Sequence, residues 1–270
     1  MKKGHISVIM ATYNCADTLS QSIDSILAQT YTDWKFIICD DCSTDNTYSI
    51  LKQYEEQYPD KFLIIKNEKN SKLPFSLNHC LKYADGEYCA RMDADDYVTA
   101  DRFEKQVNFL KENPDYHLVG CALQTFSDDK GLGRIVYCTE NPDKFSLLDS
   151  PCFPHAAIMT YTKVYNELGG YTVSPRTVRA QDYDLWFRFF AKGFKGTSLR
   201  EPLYFMREDE NSFLKRRARQ YLWLMVTKWK GYRLLKFPLK CYWHILLTLA
   251  ALFRNEFRKI KARISIGKKH

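Results

Sequence analysis

The sequence predicts an α/β fold: a doubly wound, mostly parallel sheet with helices on both faces. Two observations support it. Short apolar runs alternate with helical patterns over the first hundred residues, and the runs are continuously apolar, as strands covered on both faces must be. A third observation places function. The polar residues Thr12, Asn14, Asp40, Asp41, Asp93, Asp95 and Asp96 all fall at carboxyl ends of expected strands, where open α/β sheets bind ligands.

The first strand is the apolar run 6–11 of HISVIMATYN, which ends in polar residues. DTLSQSIDSILAQTY sets Leu19, Ile23, Ile26 and Leu27 at helical spacing, with Asp17 or Thr18 as N-cap. WKFIICDD is a second strand ending in two aspartates, a second helix starts after Ser43 and Asp45, and KFLIIKNE is a third strand. LPFSLNHCLKYADG reads as a helix ending near Gly86, and EYCARMDADD contains a fourth strand. RFEKQVNFLKENP is a helix with Phe103, Val107 and Leu110 on its core face. DYHLVGCALQTF is a strand, and DKGLGRIVYCTENP a loop with a short strand. PCFPHAAIMTYTKVYNELGGY brings a strand and a helix closed by Gly169 and Gly170. AQDYDLWFRFFAKG is an amphipathic helix ending at Gly193, with acids in its first turn, where the helix dipole favours them. Pro238 separates two further helices. The longest apolar-dominated stretch there, 241–253, has 13 residues, short of the roughly 20 a membrane span needs. It suits an interfacial or a docking helix.

The 270 residues suit one large domain, or one domain with an extension, and allow a sizeable core. Nine cysteines, odd in number and scattered through apolar runs, argue against a disulfide framework and for a reducing, cytoplasmic setting. The C-x-x-C of Cys39 and Cys42 encloses two aspartates and has no second pair, so a zinc or redox role is set aside. No leader segment is expected behind the two N-terminal lysines. Charge is divided unevenly. From Lys215 onward, sixteen lysines and arginines face one acid, Glu256, so that segment carries +15. The whole chain carries +8, which leaves −7 on residues 1–214. Such a split concerns partners, not fold.

CARMDADDYV, residues 89–98, holds three aspartates within four positions at a strand end. They could cap the next helix, form a solvated turn or bind a cation. Capping needs one acid, not three. Carboxylates at i and i+2 can reach one hard cation together, and Mg2+ or Mn2+ so held keeps positions open for substrate phosphates.

Taken in order, SVIMATYN, ICDDCSTDNT, GEYCARMDADD, PHAAIM and AQDYDLWFR resemble the inverting family 2 glycosyltransferases of GT-A fold, over about residues 5–212. One D-x-D is common by chance; five ordered segments are not. The resemblance implies a nucleotide-diphosphate-sugar donor (a UDP-sugar is expected), a divalent cation (Mn2+ or Mg2+), and a glycan or lipid-linked acceptor in cell-surface polysaccharide synthesis. Carried over by residue, Ala11, Thr12 and Tyr13 line the base and ribose pocket. Asp41 accepts a hydrogen bond from the base, with Asp40 beside it, and Asp93 approaches the ribose. Asp95 holds the cation that bridges the phosphates, with Asp96 as a candidate to share it. Asp182 is the catalytic base, His155 lies near the diphosphate or the cation, and Arg207 lies near the diphosphate.

The chemistry suits those roles. Inverting transfer is an in-line displacement at the anomeric carbon. The acceptor hydroxyl loses its proton as it attacks, so one carboxylate belongs on the acceptor side. A cation offsets the charge gathering on the leaving diphosphate. A retaining hydrolase would instead need two carboxylates flanking one bond. The chain departs from the family pattern at Gln181, where an acid commonly precedes the base. It departs at Cys42, where glycine is usual, so that turn must tolerate a side chain. It departs at Asp209, where a histidine often stands. Structural readings stand beside the functional ones. Asp182 could cap its helix, His155 could be held within the fold, and Arg91 could pair with the neighbouring acids. Asn78 could pack its helix, and Asp184 could be structural or face the acceptor.

The expected organisation is a catalytic domain, 1–212, with a nucleotide-binding half, 1–100, and an acceptor-binding half, 101–212. A basic amphipathic tail, 213–270, follows. The tail is expected on an anionic membrane surface, where each cation contributes about 1 kcal/mol. That places the chain in the cytoplasm, peripheral on the inner face of the membrane; alternatively the tail covers the sheet. Two other functions stand as alternatives. A nucleotidyltransferase would carry a Gly-rich, basic loop after the first strand, and ATYNCADT has neither glycine nor lysine. A non-catalytic sugar or nucleic-acid binder could use the basic, aromatic tail. Its Leu and Trp runs favour lipid or protein contact instead, so nucleic acid is not expected.

Overall fold

In β1 (Lys2–Thr12), Val8 and Met10 pack into one apolar layer and Ile9 into the other. A strand covered on both faces therefore reads as one unbroken apolar run. The computed structural model describes residues 1–208 and 218–267; Asp209 and the expected boundary between 212 and 213 lie outside the described residues. After β1 come α1 (Ala16–Leu27), β2 (Trp34–Asp40), α2 (Thr47–Gln57), β3 (Phe62–Lys66), α3 (Leu73–Leu81) and β4 (Gly86–Arg91). Next are β5 (Tyr97–Val98), α4 (Arg102–Glu112), β6 (Leu118–Ser127), β7 (Gly131–Val136), β8 (Met159–Tyr161) and α5 (Thr162–Leu168). The chain continues through α6 (Gln181–Ala191), β9 (Gly196–Arg207), α7 (Ala218–Leu234) and α8 (Trp243–Gly267).

The described strands form one sheet in the order β3-β2-β1-β4-β8-β6-β9-β5, with β7 on β6. β1 to β4 are mutually parallel, β8 enters antiparallel between β4 and β6, and β9 runs parallel to β6. One core layer holds Leu19, Ile23 and Ile26 of α1 with Phe103, Val107 and Leu110 of α4. The other holds Leu77 and Cys80 of α3 with Trp186, Phe187 and Phe189 of α6.

Several expectations needed correction. Neither Asp17 nor Thr18 caps α1: the N-cap position is Cys15, without a side-chain cap. The Thr18 hydroxyl donates to the Ala94 carbonyl, 3.0 Å away, and so ties α1 to the aspartate loop. α3 stops at Leu81, and Gly86 opens β4. A Cβ at Gly86 would lie 2.5 Å from the His5 carbonyl oxygen, so this glycine serves the close pairing of β4 with β1. β9 was not anticipated. Its run is broken by exposed Arg200 and Glu201 and by Pro202, opposite a register shift on β6.

Pro238 does separate two helices, and α7 packs on α6. A Cβ at Gly231 would sit 2.2 Å from Phe187 Cδ2, and Tyr232 is fully buried with its ring 5.9 Å from that of Phe187. Among the described residues no helix is long and apolar enough to cross a membrane. Asp184 is structural. It accepts from Thr172 at 2.6 Å and pairs with Arg176 at 2.6 Å and Arg188 at 2.9 Å. Asn78 packs: its amide donates to the Tyr171 carbonyl at 2.8 Å and accepts from the Tyr171 N–H at 2.7 Å.

Candidate active site at the carboxyl edge of the sheet

The parallel register sets Thr12 beside Asp40 and Asp40 beside Lys66. Thr12 is buried, and its hydroxyl donates to Asp40 at 3.4 Å. Asp40 also accepts from the Ser43 N–H at 3.1 Å. That closes a turn in which Cys42 takes a φ of +63°, the left-handed geometry its glycine-like position demands. Asp41 is buried and accepts three hydrogen bonds of 2.8 Å, from Asn67 Nδ2, Ser71 N and Lys72 N. It thus fixes the segment between β3 and α3. Ala11 is half-buried and Tyr13 exposed, so this corner offers a floor, a ring and buried acceptors.

The aspartates after β4 have three different environments. Arg91, 1% exposed, pairs with Asp93 at 2.5 Å; burial works against its charge, and Asp93 outweighs the burial. Asp96 is buried. It accepts from Tyr204 Oη at 2.8 Å and from Arg207 N at 2.8 Å, bracing β5 against β9. Burial first, then Asp93 and Asp95, push its carboxyl up to about 8. Asp95 is exposed, and its carboxylate takes no hydrogen bond from another described residue. Desolvation at the base of the loop, then the charge of Asp93, raise it. Arg207 braces this loop. Its Nε donates to the Asp95 carbonyl at 2.9 Å, its Nη2 to Gln21 at 2.8 Å, and its Nη1 pairs with Asp128.

Among the described residues no three His, Cys, Asp or Glu side chains gather around one metal position. Of the expected set, Asp95 is exposed, while Asp96 and His155 are engaged by partners within the fold. Both Asp96 oxygens are taken from within the fold. His155 Nε2 is bonded to Tyr171 Oη at 2.9 Å, which is in turn 2.8 Å from Tyr165 Oη. Burial, then Arg91, hold His155 well below its usual range and so favour its neutral form. The donor set that remains is one outward carboxylate, Asp95, with Asp93 two residues before it. That fits a hard cation which keeps most of its positions for phosphate and water.

Asp182 stands in the first turn of α6, half-buried, its Oδ1 accepting from the Tyr183 N–H at 2.8 Å. Burial raises its carboxyl, against the hydrogen bond from the Tyr183 N–H and, less, the charge of Arg91. It lines a cavity of about 580 Å3 with Leu73, Arg179, Gln181, Tyr221 and Leu224. Leu73, on the cavity wall, directly follows Lys72, whose N–H donates to Asp41. Arg179 is exposed there and has no ion-pair partner among the described residues. The neighbour Gln181 has a buried Oε1 without a hydrogen-bond partner among the described residues.

The sequence pattern of glycosyl transferase family 2 matches residues 7–168, from β1 to the end of α5. The chain belongs to this family. EpsE of Bacillus subtilis (strain 168), named as a glycosyltransferase, is 41% identical over 248 residues, 92% of this chain and 89% of EpsE. WfaP of Escherichia coli is named a UDP-Glc:alpha-D-GlcNAc-diphosphoundecaprenol beta-1,3-glucosyltransferase. It is 28% identical over 201 residues, 74% of this chain and 76% of WfaP. Among solved structures, the mannosyltransferase PcManGT from Pyrobaculum calidifontis, in complex with GDP-Man and Mn2+, superposes with a TM-score of 0.68 at 20% identity. The match covers 98% of this chain and 79% of PcManGT. That likeness is one of fold, and the family 2 glycosyltransferase described here has the GT-A architecture.

Sequence reasoning missed several residues of this family 2 site. Tyr204, which also accepts from the Asp93 N–H at 3.2 Å, lies on the unanticipated β9. Arg102, fully buried, donates to the Arg91 carbonyl at 3.0 Å and so fixes the strand end from below. Tyr221 and Leu224 of α7 wall the cavity although they belong to the tail. Arg102 could have been suspected from its place beside Phe103 on a core face. The other three depend on tertiary pairing alone.

Proposed function

We propose that this glycosyltransferase moves a sugar, with inversion, from a UDP-sugar to a glycan or lipid-linked acceptor of a cell-surface polysaccharide. The observation that carries the reading is Asp182, a half-buried carboxyl raised by burial, on the wall of a cavity it shares with Leu73, Arg179 and Gln181. The name of the relative WfaP supports the donor and the acceptor class, with UDP-Glc and a diphosphate-lipid, and the Mn2+ bound by the fold neighbour PcManGT supports the cation.

In this reading Ala11, Thr12 and Tyr13 seat the base and ribose. Asp40 and Asp41 shape that seat, Asp41 through the 67–72 segment it holds. Asp93 faces the ribose, oriented by Arg91. Asp95 holds the divalent cation, Mn2+ or Mg2+, which when bound offsets charge on the leaving diphosphate. Arg207 keeps the Asp95 backbone in place beside that diphosphate. His155 acts as a neutral, oriented neighbour. Asp182 takes the acceptor proton as the acceptor oxygen bonds to the anomeric carbon and the bond to the diphosphate breaks. The working division keeps a nucleotide half, 1–100, an acceptor half, 101–212, and a tail, 213–270, whose α7 contributes to the acceptor side.

A donor screen tests the reading. With Mn2+ present, a UDP-sugar is expected to raise the melting temperature more than GDP- or dTDP-sugars, because a ligand bound only by the folded state stabilises it. No stabilisation by any nucleotide-sugar would overturn the reading, and full activity in EDTA would remove its cation.

A further inference from the structure

α7 has two unlike sides. Gln220, Tyr221 and Leu224 wall the Asp182 cavity, and Thr227, Lys228, Gly231 and Tyr232 continue that side into the core. At 3.6 residues per turn, the opposite side carries Leu222, Trp223, Val226 and Trp229, all exposed. α8 repeats the pattern. Trp243, Leu246, Leu247 and Phe253 recur at helical spacing on its exposed side, with Trp243 63% and Phe253 71% exposed. Ile245, Thr248 and Asn255 are buried on the other. Apolar stripes of this length call for a cover.

The charge identifies the cover. Lys230, Arg233, Lys236, Lys240 and Arg254 are exposed among these rings, in a segment that carries +15. A second copy docked through the same face would set +15 against +15. An anionic bilayer matches both the cations and the apolar rings, and helices of this composition that are too short in apolar length to span lie in the interface.

We propose that α7 and α8 dock through these sides on an anionic lipid surface, and that α7 thereby holds the Asp182 cavity one helix diameter, about 10 Å, from a membrane-held acceptor. The acceptor half of this inference rests on the transferase reading; the docking half does not. The test uses the full chain with vesicles of phosphatidylglycerol and phosphatidylcholine in equal parts, against phosphatidylcholine alone. The wild-type chain is expected to co-sediment with the first and not the second, and brominated acyl chains are expected to quench its tryptophan fluorescence. Trp229→Glu on α7 and, separately, Phe253→Glu on α8 are each expected to cut the bound fraction about tenfold. Both should keep the wild-type circular dichroism and melting temperature, which separates lost docking from lost folding.

A wild-type chain that stays in the supernatant overturns the proposal. So does a Trp229→Glu chain that binds as well as wild type, because α7 then lies off the membrane. Trp229→Glu converting an oligomer to a monomer, without any vesicle binding by wild type, assigns the face to self-contact and also overturns it. Docking as expected, with no nucleotide-sugar binding, supports the docking half while removing the transferase reading.

Discussion

Asp182 and Asp184 stand two residues apart in the first turn of α6 and have opposite fates. Burial raises both, but at Asp184 the Thr172 hydroxyl and the guanidinium groups of Arg188 and Arg176 outweigh it and lower the carboxyl. Its folded pKa lies below the unfolded value of about 3.9. The stability it contributes is therefore present above about pH 4 and lost as pH falls through the lowered value. Asp184→Asn is expected to cost about 3 kcal/mol at neutral pH by stranding two arginines, and to flatten the acid limb of the stability curve, both readable by urea unfolding across pH. Asp182 keeps a carboxyl raised by burial, so kcat is expected to rise with pH along an acid limb displaced upward from that of an ordinary carboxylate, visible in a rate profile. Asp95 and Asp96 separate in the same manner. Asp95→Ala is expected to leave the melting temperature intact and abolish Mn2+-dependent nucleotide binding. Asp96→Ala is expected to lower stability by about 2 kcal/mol, since Tyr204 and the Arg207 N–H lose their acceptor. The reverse pattern would assign the cation to Asp96.

At the scale of elements, legibility followed how local each signal was. β1, β2 and α4 were readable because their burial patterns are continuous or helical in the sequence itself. The turn at Cys42 was readable as a strained position, and its φ of +63° shows why. β9 was not readable. Its exposed middle and Pro202 break the strand pattern, and its partners on β6 lie some eighty residues earlier. The tail's two helices and Pro238 were legible, but the contact of α7 with α6 was not, because it depends on Gly231 meeting Phe187. Gly231→Ala is expected to destabilise the chain by about 1–3 kcal/mol by overpacking, and to weaken acceptor KM more than donor KM, since Tyr221 and Leu224 move with α7. An unchanged melting temperature would show that α7 is not seated there.

At the scale of the molecule, an acidic body of −7 meets a basic tail of +15, and the cavity with Asp182 lies where α7 of the tail joins α6 of the body. The strand-end acids were the most legible part of the candidate site, since they cluster in short motifs. The acceptor side was the least legible, since its walls come from segments far apart in the chain. The central claim is that Asp182 accepts the acceptor proton. The most direct measurement is the transfer rate of Asp182→Asn with a labelled UDP-sugar, taken with its UDP affinity. The expected result is unchanged affinity and a rate lower by about 100- to 10,000-fold. A near-wild-type rate would contradict the account.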